Sequence, residues 1–309
     1  MSKKIKGDGS IMTTHKGIEK PLFIIAGIVF AVQCVSLFLP IVWMFLMSLK
    51  DGTAYMDEGA FDLPKIMTFK PFKFLLFSWD YKNYTEAYNN LKIEGVTDIS
   101  FFEMVFNSIW YTVLHAGLAC FTPCVTGYVM SKYRFRGREF IYAVVITSLT
   151  VPIVGSGAST MKLFQFFHFL EYPILRILVG GLAGFGGTFI VYYGFWKGVS
   201  WAYAEAAQID GAGPWTILFK IMLPQALPVM MTYFITGAIA AWNEYESIIL
   251  YMEQYPTLAV GLIFLKETAR DDTPAYFAGL IISMIPTLAI FAIFSDKIMR
   301  SVSIGGLKG

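Results

Sequence analysis

Charged residues are scarce in this sequence, and their scarcity excludes an ordinary soluble domain. Asp, Glu, Lys and Arg make up 15% of the 309 residues, whereas soluble proteins average about 25%. Hydrophobic residues make up 56%, which together with the low charge indicates a polytopic membrane protein. The net charge of +2 is too small for a nucleic-acid surface. We therefore expect membrane lipid, and no nucleic acid, as a partner.

Cysteine is also rare. The three cysteines, Cys34, Cys120 and Cys124, all lie in apolar runs. An odd number of thiols in such runs excludes a disulfide framework. Cys120 and Cys124 are four residues apart and share a helix face, but two thiols alone make a poor metal site. Small apolar packing is the better interpretation, and no metal is expected.

Motifs of common catalytic sites are missing. The sequence has no G-x-x-x-x-G-K-[ST] phosphate loop, no H-E-x-x-H zinc motif and no G-x-S-x-G nucleophile elbow. By the first criterion the chain does not hydrolyse ATP by itself, and we expect neither an enzyme nor a cofactor in this chain. The glycine-rich run 180–187 (GGLAGFGG) lacks the phosphate-loop residues and predicts a helix face for close packing.

Long apolar runs are what the sequence does contain. A transmembrane helix needs roughly 20 apolar residues, and helices satisfy their backbone groups internally in lipid. The alternating segments of a β-barrel are absent. The sequence predicts an all-α membrane protein with six transmembrane helices at Leu22–Met47, Met104–Met130, Phe140–Met161, Ile177–Trp196, Ile221–Asn243 and Thr273–Ser295.

Lysine and arginine in the short flanks set the orientation. Five lysines precede the first run, and the turn SKYRFRGRE (131–139) carries four cations. Both lie on one side of a six-helix arrangement, so we predict that both termini are cytoplasmic (N-in, C-in). The predicted organisation is a cytoplasmic N-terminal tail (1–21), a transmembrane domain (22–299) and a cytoplasmic C-terminal tail (300–309), with external loops at 50–102 and 251–274 and a cytoplasmic loop at 203–224.

The cytoplasmic loop contains a polar, glycine-broken stretch, EAAQIDGAGPWTILFKIMLP (205–224). Its alanines favour a short helix with a smooth surface, and Gly211 and Gly213 end that helix. Pro214 suits the first turn of a second helix, and Leu223-Pro224 bends the chain into the next span. The pattern predicts a cytoplasmic helix–turn–helix. It is either an amphipathic interfacial turn or a docking element for a cytoplasmic partner.

The residue pattern of this stretch favours the docking element. E-A-A-x-x-D-G-A, then I-x-L-P with nine residues between Gly211 and Ile221, resembles the EAA coupling loop of ABC importer permeases. The chain resembles the MalG-like subfamily, the smaller of two permeases in carbohydrate importers. Further motifs carry the likeness from about residue 20 to the C-terminus: Asn107-Ser108, the basic turn Lys132–Arg138, Trp242-Asn243-Glu244, the run Thr257–Gly261, Pro286 and the terminal GGLKG. The chain departs from the pattern at Ser200 and Ala202, where the family has Pro and an acid, and at Ala259, where it has Pro.

The resemblance implies a type I ABC importer permease with cytoplasmic coupling helices in the bacterial cell (inner) membrane. It implies a second, MalF-like permease, two cytoplasmic ATPase subunits that bind ATP and Mg, and an extracellular or periplasmic solute-binding protein that delivers sugar. The residues expected to couple to the ATPases are Glu205, Ala206, Ala207, Asp210, Gly211, Gly213, Pro214, Leu223 and Pro224.

Polar and ionisable groups within spans are costly and mark functional sites by default. A sugar needs hydrogen-bonding groups and aromatic faces, so we assign a candidate substrate path to Asn107, Tyr111, His115, Trp242, Asn243 and Glu244. Polar contacts between helices would account for the same residues. Two further alternatives stay open: an ABC importer permease for another polar solute, and a secondary transporter, which would show inverted repeats or a buried charge relay.

Overall fold

The computed structural model describes residues 19–50, 55, 62, 82–91, 99–151, 155, 157–181, 184–269 and 272–305. Helices account for most of these residues. They are α1 (Glu19–Met47), α2 (Lys82–Asn90), α3 (Phe101–Lys132), α4 (Arg138–Thr150), α5 (Gly157–Phe166), α6 (Pro173–Gly181), α7 (Gly187–Gly198), α8 (Ala202–Ile209), α9 (Pro214–Trp242), α10 (Glu246–Tyr251), α11 (Leu258–Thr268) and α12 (Thr273–Gly305).

The prediction of an all-helical chain is confirmed for these ranges, which contain no β-strand. Within them, three helices are long and apolar enough to cross a membrane, namely Pro21–Met47, Phe101–Lys132 and Pro214–Trp242. Thr273–Ala289 is a shorter apolar helical segment. The total of six spans and the N-in, C-in orientation stay predictions.

Helix α3 is the centre of the bundle. Helices α6, α7, α9 and α11 pack along it. Its start is fixed by a reciprocal cap in which the Glu103 carboxylate accepts hydrogen bonds from the Ser100 backbone N–H (2.8 Å) and hydroxyl (2.9 Å). One end of α3 approaches the connection between α10 and α11, and the other approaches the segment that leads into α8. The two ends of the molecule are thus joined by one helix.

The third predicted span, Phe140–Met161, is not one continuous helix. Helix α4 ends at Thr150, and Val151 is extended with φ −88° and ψ 115°. Proline follows at position 152, and a residue before proline is driven out of the helical region by the proline ring. Gly155 has φ +77°, and a new helix, α5, begins at Gly157. Hydropathy alone misses this break because every residue across it except the glycines and Ser156 is apolar.

The fourth predicted span, Ile177–Trp196, is also broken. The prediction that run 180–187 forms a helix face is wrong, because α6 ends at Gly181 and α7 begins at Gly187. The prediction of close packing is confirmed at Gly184: a Cβ there would lie 2.8 Å from Thr126 Cγ2 and 2.9 Å from Thr122 Cγ2. The Thr126 hydroxyl donates to the Gly184 carbonyl at 2.8 Å.

Two predicted connections contain helices. Helix α11 lies inside the predicted loop 251–274 and buries Leu258, Val260 and Leu265. Helix α2 lies inside the predicted loop 50–102, most of which falls outside the described residues, as do residues 1–18 of the N-terminal tail. Helix α12 continues to Gly305, into the predicted C-terminal tail.

Candidate functional site

The predicted helix–turn–helix of the cytoplasmic loop is confirmed. Helix α8 ends at Ile209 with Asp210 as its C-cap, and Gly211 adopts the left-handed conformation with φ +79°. The Ala212 N–H donates to the Ala207 carbonyl at 2.9 Å, and the Gly211 N–H donates to Gln208 at 3.0 Å. This is a helix C-terminus closed by a glycine. Gly213 is extended, and Pro214 opens α9.

The start of α8 depends on a residue at which the sequence departs from the family pattern. The Ser200 hydroxyl accepts a hydrogen bond from the Ala202 N–H at 3.3 Å. A serine at this place satisfies one of the free N–H groups of a helix N-terminus. Helix α8 therefore has a well-defined start even though Ser200 departs from the family pattern.

One face of α8 is buried against the protein itself. Ala204 is 0% exposed and Ala207 is 6% exposed. Both pack in a core cluster with residues of α3, α7 and the first turns of α9, namely Cys120, Cys124, Tyr128, Tyr192, Trp196, Ile217, Leu218, Met222 and Ala226. Small side chains at Ala204 and Ala207 let α8 approach this cluster closely. Ala207 therefore packs α8 against the bundle.

The opposite face of this element is open. The remaining predicted residues of the turn are exposed: Glu205, Ala206, Asp210, Gly211, Gly213 and Pro214. Two large apolar side chains that sequence reasoning did not single out accompany them, because Ile209 is 87% exposed and Trp215 is 73% exposed. The Trp215 ring stacks on Phe219 with centroids 6.0 Å apart. Exposed apolar groups gathered at one tip indicate an interaction surface.

The predicted bend at Leu223 and Pro224 does not interrupt the helix. Helix α9 runs through both positions without a break. The irregularity lies just before them, where Ile217–Met222 form a π-helical turn and the Leu223 N–H bonds to Leu218. Since proline donates no hydrogen bond and its ring clashes with a carbonyl one turn back, a widened turn in front of Pro224 accommodates it.

Hydrogen bonds and ring contacts tie the α8–α9 element to the bundle. The Lys132 ammonium group donates to the Val199 carbonyl, just before α8. The Tyr133 ring meets the Trp201 ring edge-on at 5.9 Å. Trp196 donates from its indole N–H to the Cys124 carbonyl at 2.9 Å. A displacement of α8 is thus passed to α3 through several contacts.

At the other end of α3, the Asn107-Ser108 pair holds the connection into α11. Asn107 donates from Nδ2 to the Pro256 carbonyl at 3.1 Å and accepts the Trp110 indole N–H at 3.0 Å. The Ser108 hydroxyl accepts the Leu258 N–H at 2.8 Å. Two of the recognised motifs are therefore in direct contact. Asn107 therefore takes part in holding the loop.

The other predicted path residues fall into two groups. Tyr111 and His115 stack on one another with ring centroids 5.5 Å apart, and the charge of Glu244 acts on both. Trp242 and Asn243 instead line a cavity of about 310 Å³, which also borders Met44, Leu258, Ser283 and Thr287.

Arg176 joins the first group, although the sequence presents it only as a loop cation. Its guanidinium lies over the Tyr251 ring at 5.2 Å and interacts with the Tyr111 side chain. Because Tyr111 and Tyr251 are distant from Arg176 in sequence, no local sequence pattern indicates these contacts. Among the described residues, no three His, Cys, Asp or Glu side chains are grouped as a metal site.

Comparison with known proteins adds to this geometry. The diacetylchitobiose uptake system permease protein NgcG of Streptomyces coelicolor is 26% identical over 275 residues, which cover 88% of this chain and 84% of that protein. The arabinooligosaccharides transport system permease protein AraQ of Bacillus subtilis is 26% identical over 277 residues, covering 87% and 90%. A crystal structure of a bacterial ABC transporter involved in importing the acidic polysaccharide alginate matches with a TM-score of 0.65 and 21% identity, over 90% of this chain and 96% of that one.

A match between the chain and a model of the family confirms the family resemblance inferred from the motifs. Residues 124–304 match the family described as binding-protein-dependent transport system inner membrane component. The matched range includes α8, its glycine turn and all of α9. Since it spans more than half of the sequence, the chain belongs to the family of binding-protein-dependent transport system inner membrane components.

Proposed function

We propose that this chain is the transmembrane permease subunit of an ATP-driven importer of sugars or oligosaccharides. It forms half of the translocation path, and a second, MalF-like permease forms the other half. The single observation that carries the proposal is the α8–α9 element with its two different faces. One face buries Ala204 and Ala207 in the bundle, and the other exposes Ile209 and Trp215. Membership of a binding-protein-dependent transport family supports it.

The membrane arrangement in this proposal is six spans across the bacterial cell (inner) membrane, with both termini in the cytoplasm. The contact between Lys132 and the Val199 carbonyl supports it. It places the basic turn 132–138, with exposed Arg134 and Arg136, at the same end of the bundle as α8. Cations concentrate on the cytoplasmic side, so this end faces the cytoplasm.

Energy enters at that end. Two cytoplasmic ATPase subunits bind ATP and Mg, and the cleft of one receives the exposed tip of α8 and α9. Trp is enriched among the residues that carry most of the binding energy at interfaces, and Trp215 is the most prominent candidate here. When the ATPases close, they displace α8, and its contacts to α3 and α9 convert the displacement into movement of the spans.

The solute proposed is a carbohydrate delivered by an extracellular or periplasmic binding protein. The named relatives are permeases for diacetylchitobiose and arabinooligosaccharides, and both are matched along most of the chain. The connection 252–257 carries the exposed residues Glu253, Gln254 and Tyr255 at the end of the bundle away from α8. We assign the contact with the binding protein to this connection.

Co-purification with and without Trp215 tests the proposal. Trp215→Ala is expected to lower the amount of ATPase subunit that co-purifies with the permease and to lower ATP-dependent sugar uptake about tenfold or more. Phe166→Ala is the matched control, because Phe166 is 77% exposed but lies at the C-terminus of α5. Equal ATPase recovery from both variants, with normal uptake, would contradict the assignment.

A further inference from the structure

Arg176 is the least expected charge in the described bundle. It lies in α6, next to Ile177, which is buried in an apolar cluster with Ile248 and Val260. No carboxylate among the described residues comes within 4.0 Å of its guanidinium. Charges near the interior of a membrane protein are costly and mark ion or substrate contacts by default.

Two buried nitrogen atoms of this region have no hydrogen-bond partner in the structure. They are Arg176 Nη1 and His115 Nδ1. A buried polar atom without a hydrogen-bond partner costs free energy, and the cost is larger when the group is charged, as in Arg176. Such atoms in a native protein call for a specific explanation. A bound ligand that supplies the missing hydrogen-bond partner is one such explanation.

The Tyr111 hydroxyl interacts with the side chains of Arg176 and Ser247. Glu244 is the nearby acid; its Oε1 accepts the Ser247 N–H at 2.9 Å, and its charge also acts on Arg176. Arg176 Nη1 nevertheless has no acceptor, and a ligand group that only accepts hydrogen bonds would supply one. Carboxylates do so, and the planar fork of arginine binds them through two parallel hydrogen bonds.

Aromatic rings border the same place. Tyr111 and His115 stack with centroids 5.5 Å apart, and the Tyr251 ring lies under the guanidinium. Aromatic faces suit the apolar faces of pyranose rings, and the tyrosine hydroxyls add polar contacts. A ring that carries a carboxylate matches both features of the surroundings.

We propose that Arg176, with His115 and Tyr111, forms a subsite for the carboxylate of an acidic saccharide, such as a uronic acid unit, in transit through the permease. This rests on the proposed function and names its substrate class. Both unpaired nitrogens are shielded in the conformation described. The subsite therefore opens when α3, α6 and α9 move relative to one another, as alternating access requires.

Uptake by the complete complex, with its binding protein, in proteoliposomes tests the subsite. The probes are uronic acid disaccharides and trisaccharides, each paired with the neutral saccharide of the same linkage. Arg176→Gln is expected to lower uptake of the acidic probes about tenfold or more while uptake of the neutral probes changes less than twofold. Arg176→Lys, which keeps the charge but loses the fork, is expected to fall between. Lys162→Gln, an exposed cation in α5, is the control and is expected to change neither.

The outcomes separate this subsite from the proposed function. Uptake of neutral saccharides alone by the unmodified complex overturns the subsite and leaves the importer intact, whereas uptake of no saccharide overturns both. Equal loss for both probe classes, or no loss, in Arg176→Gln also overturns the subsite. If that variant does not assemble, Tyr111→Phe removes one donor at nearly constant volume and is expected to raise the KM for acidic probes alone. An unchanged KM in that variant overturns the subsite as well.

Discussion

The Ser108 hydroxyl accepts a hydrogen bond from the backbone N–H of Leu258, 150 positions away, at 2.8 Å. Ser108 is 1% exposed and Leu258 is 2% exposed, so water does not replace this bond. A single side chain near the start of α3 thus fixes the first turn of α11, next to the connection that we assign to the binding protein.

Replacing Ser108 by alanine leaves the Leu258 N–H buried without a partner. We expect Ser108→Ala to destabilise the purified complex by about 1–3 kcal/mol, the usual cost of an unsatisfied buried donor. Thermal unfolding of the complex measures it. Thr268→Ala is the control, since that hydroxyl is exposed and bonds only within α11. Equal stability of the two variants would refute the role of Ser108.

The glycine turn offers a matched pair. Neither Gly211 nor Gly213 has any atom within 4 Å of an added Cβ, but Gly211 has φ +79°, whereas Gly213 has φ −74°. We therefore expect Gly211→Ala to cost about 1–2 kcal/mol from backbone strain alone and to weaken sugar-stimulated ATPase activity of the complex. Gly213→Ala is expected to retain that activity. A larger loss in Gly213→Ala would show that the conformation of the turn is not what matters.

Close approach of the α6–α7 connection to α3 makes Gly184 sensitive to size. Gly184→Ala places a methyl group 2.8 Å from Thr126 Cγ2, and overpacking of this kind costs about 1–3 kcal/mol. We expect lower thermal stability, with recovery when Thr122 is also changed to alanine and Thr126 to serine, which removes both Cγ2 atoms and keeps the hydroxyl bond to the Gly184 carbonyl. Gly186→Ala, where an added Cβ meets nothing within 4 Å, is expected to be neutral. No recovery in the triple variant would argue against steric crowding.

A structural feature could be predicted from the sequence when its cause lies in neighbouring residues. The turn at Gly211 and the start of α9 at Pro214 follow from neighbouring residues, and they were predicted. The break at Val151 has an equally local cause in the following proline, but hydropathy runs extend across it. The inward position of Ala207, in contrast to outward Ala206, depends on where α3 and α7 lie. No single-sequence signal provides that.

Contacts between residues distant in sequence also explain why the roles of several polar residues could not be predicted. Asn107 is recognisable as part of a motif, but its bond to Pro256 joins positions 149 apart, so its structural role is visible only in the fold. Arg176 falls between the third and fourth predicted spans, and its neighbours Tyr111 and Tyr251 are distant in sequence. Ile209 and Trp215 lie in the two predicted helices of the cytoplasmic loop, and only their exposure identifies them as contact residues.

The central claim is that the α8–α9 tip contacts an ATPase subunit, and site-specific cross-linking tests it most directly. One accessible cysteine is placed at Ile209 in a background with Cys34→Ser; Cys120 and Cys124 are kept because they are buried. Ile209→Cys is expected to form a cross-link to the ATPase subunit in the assembled complex, and Phe166→Cys is expected to form none. A complex that contains the ATPase yet gives no cross-link from position 209 would contradict the account.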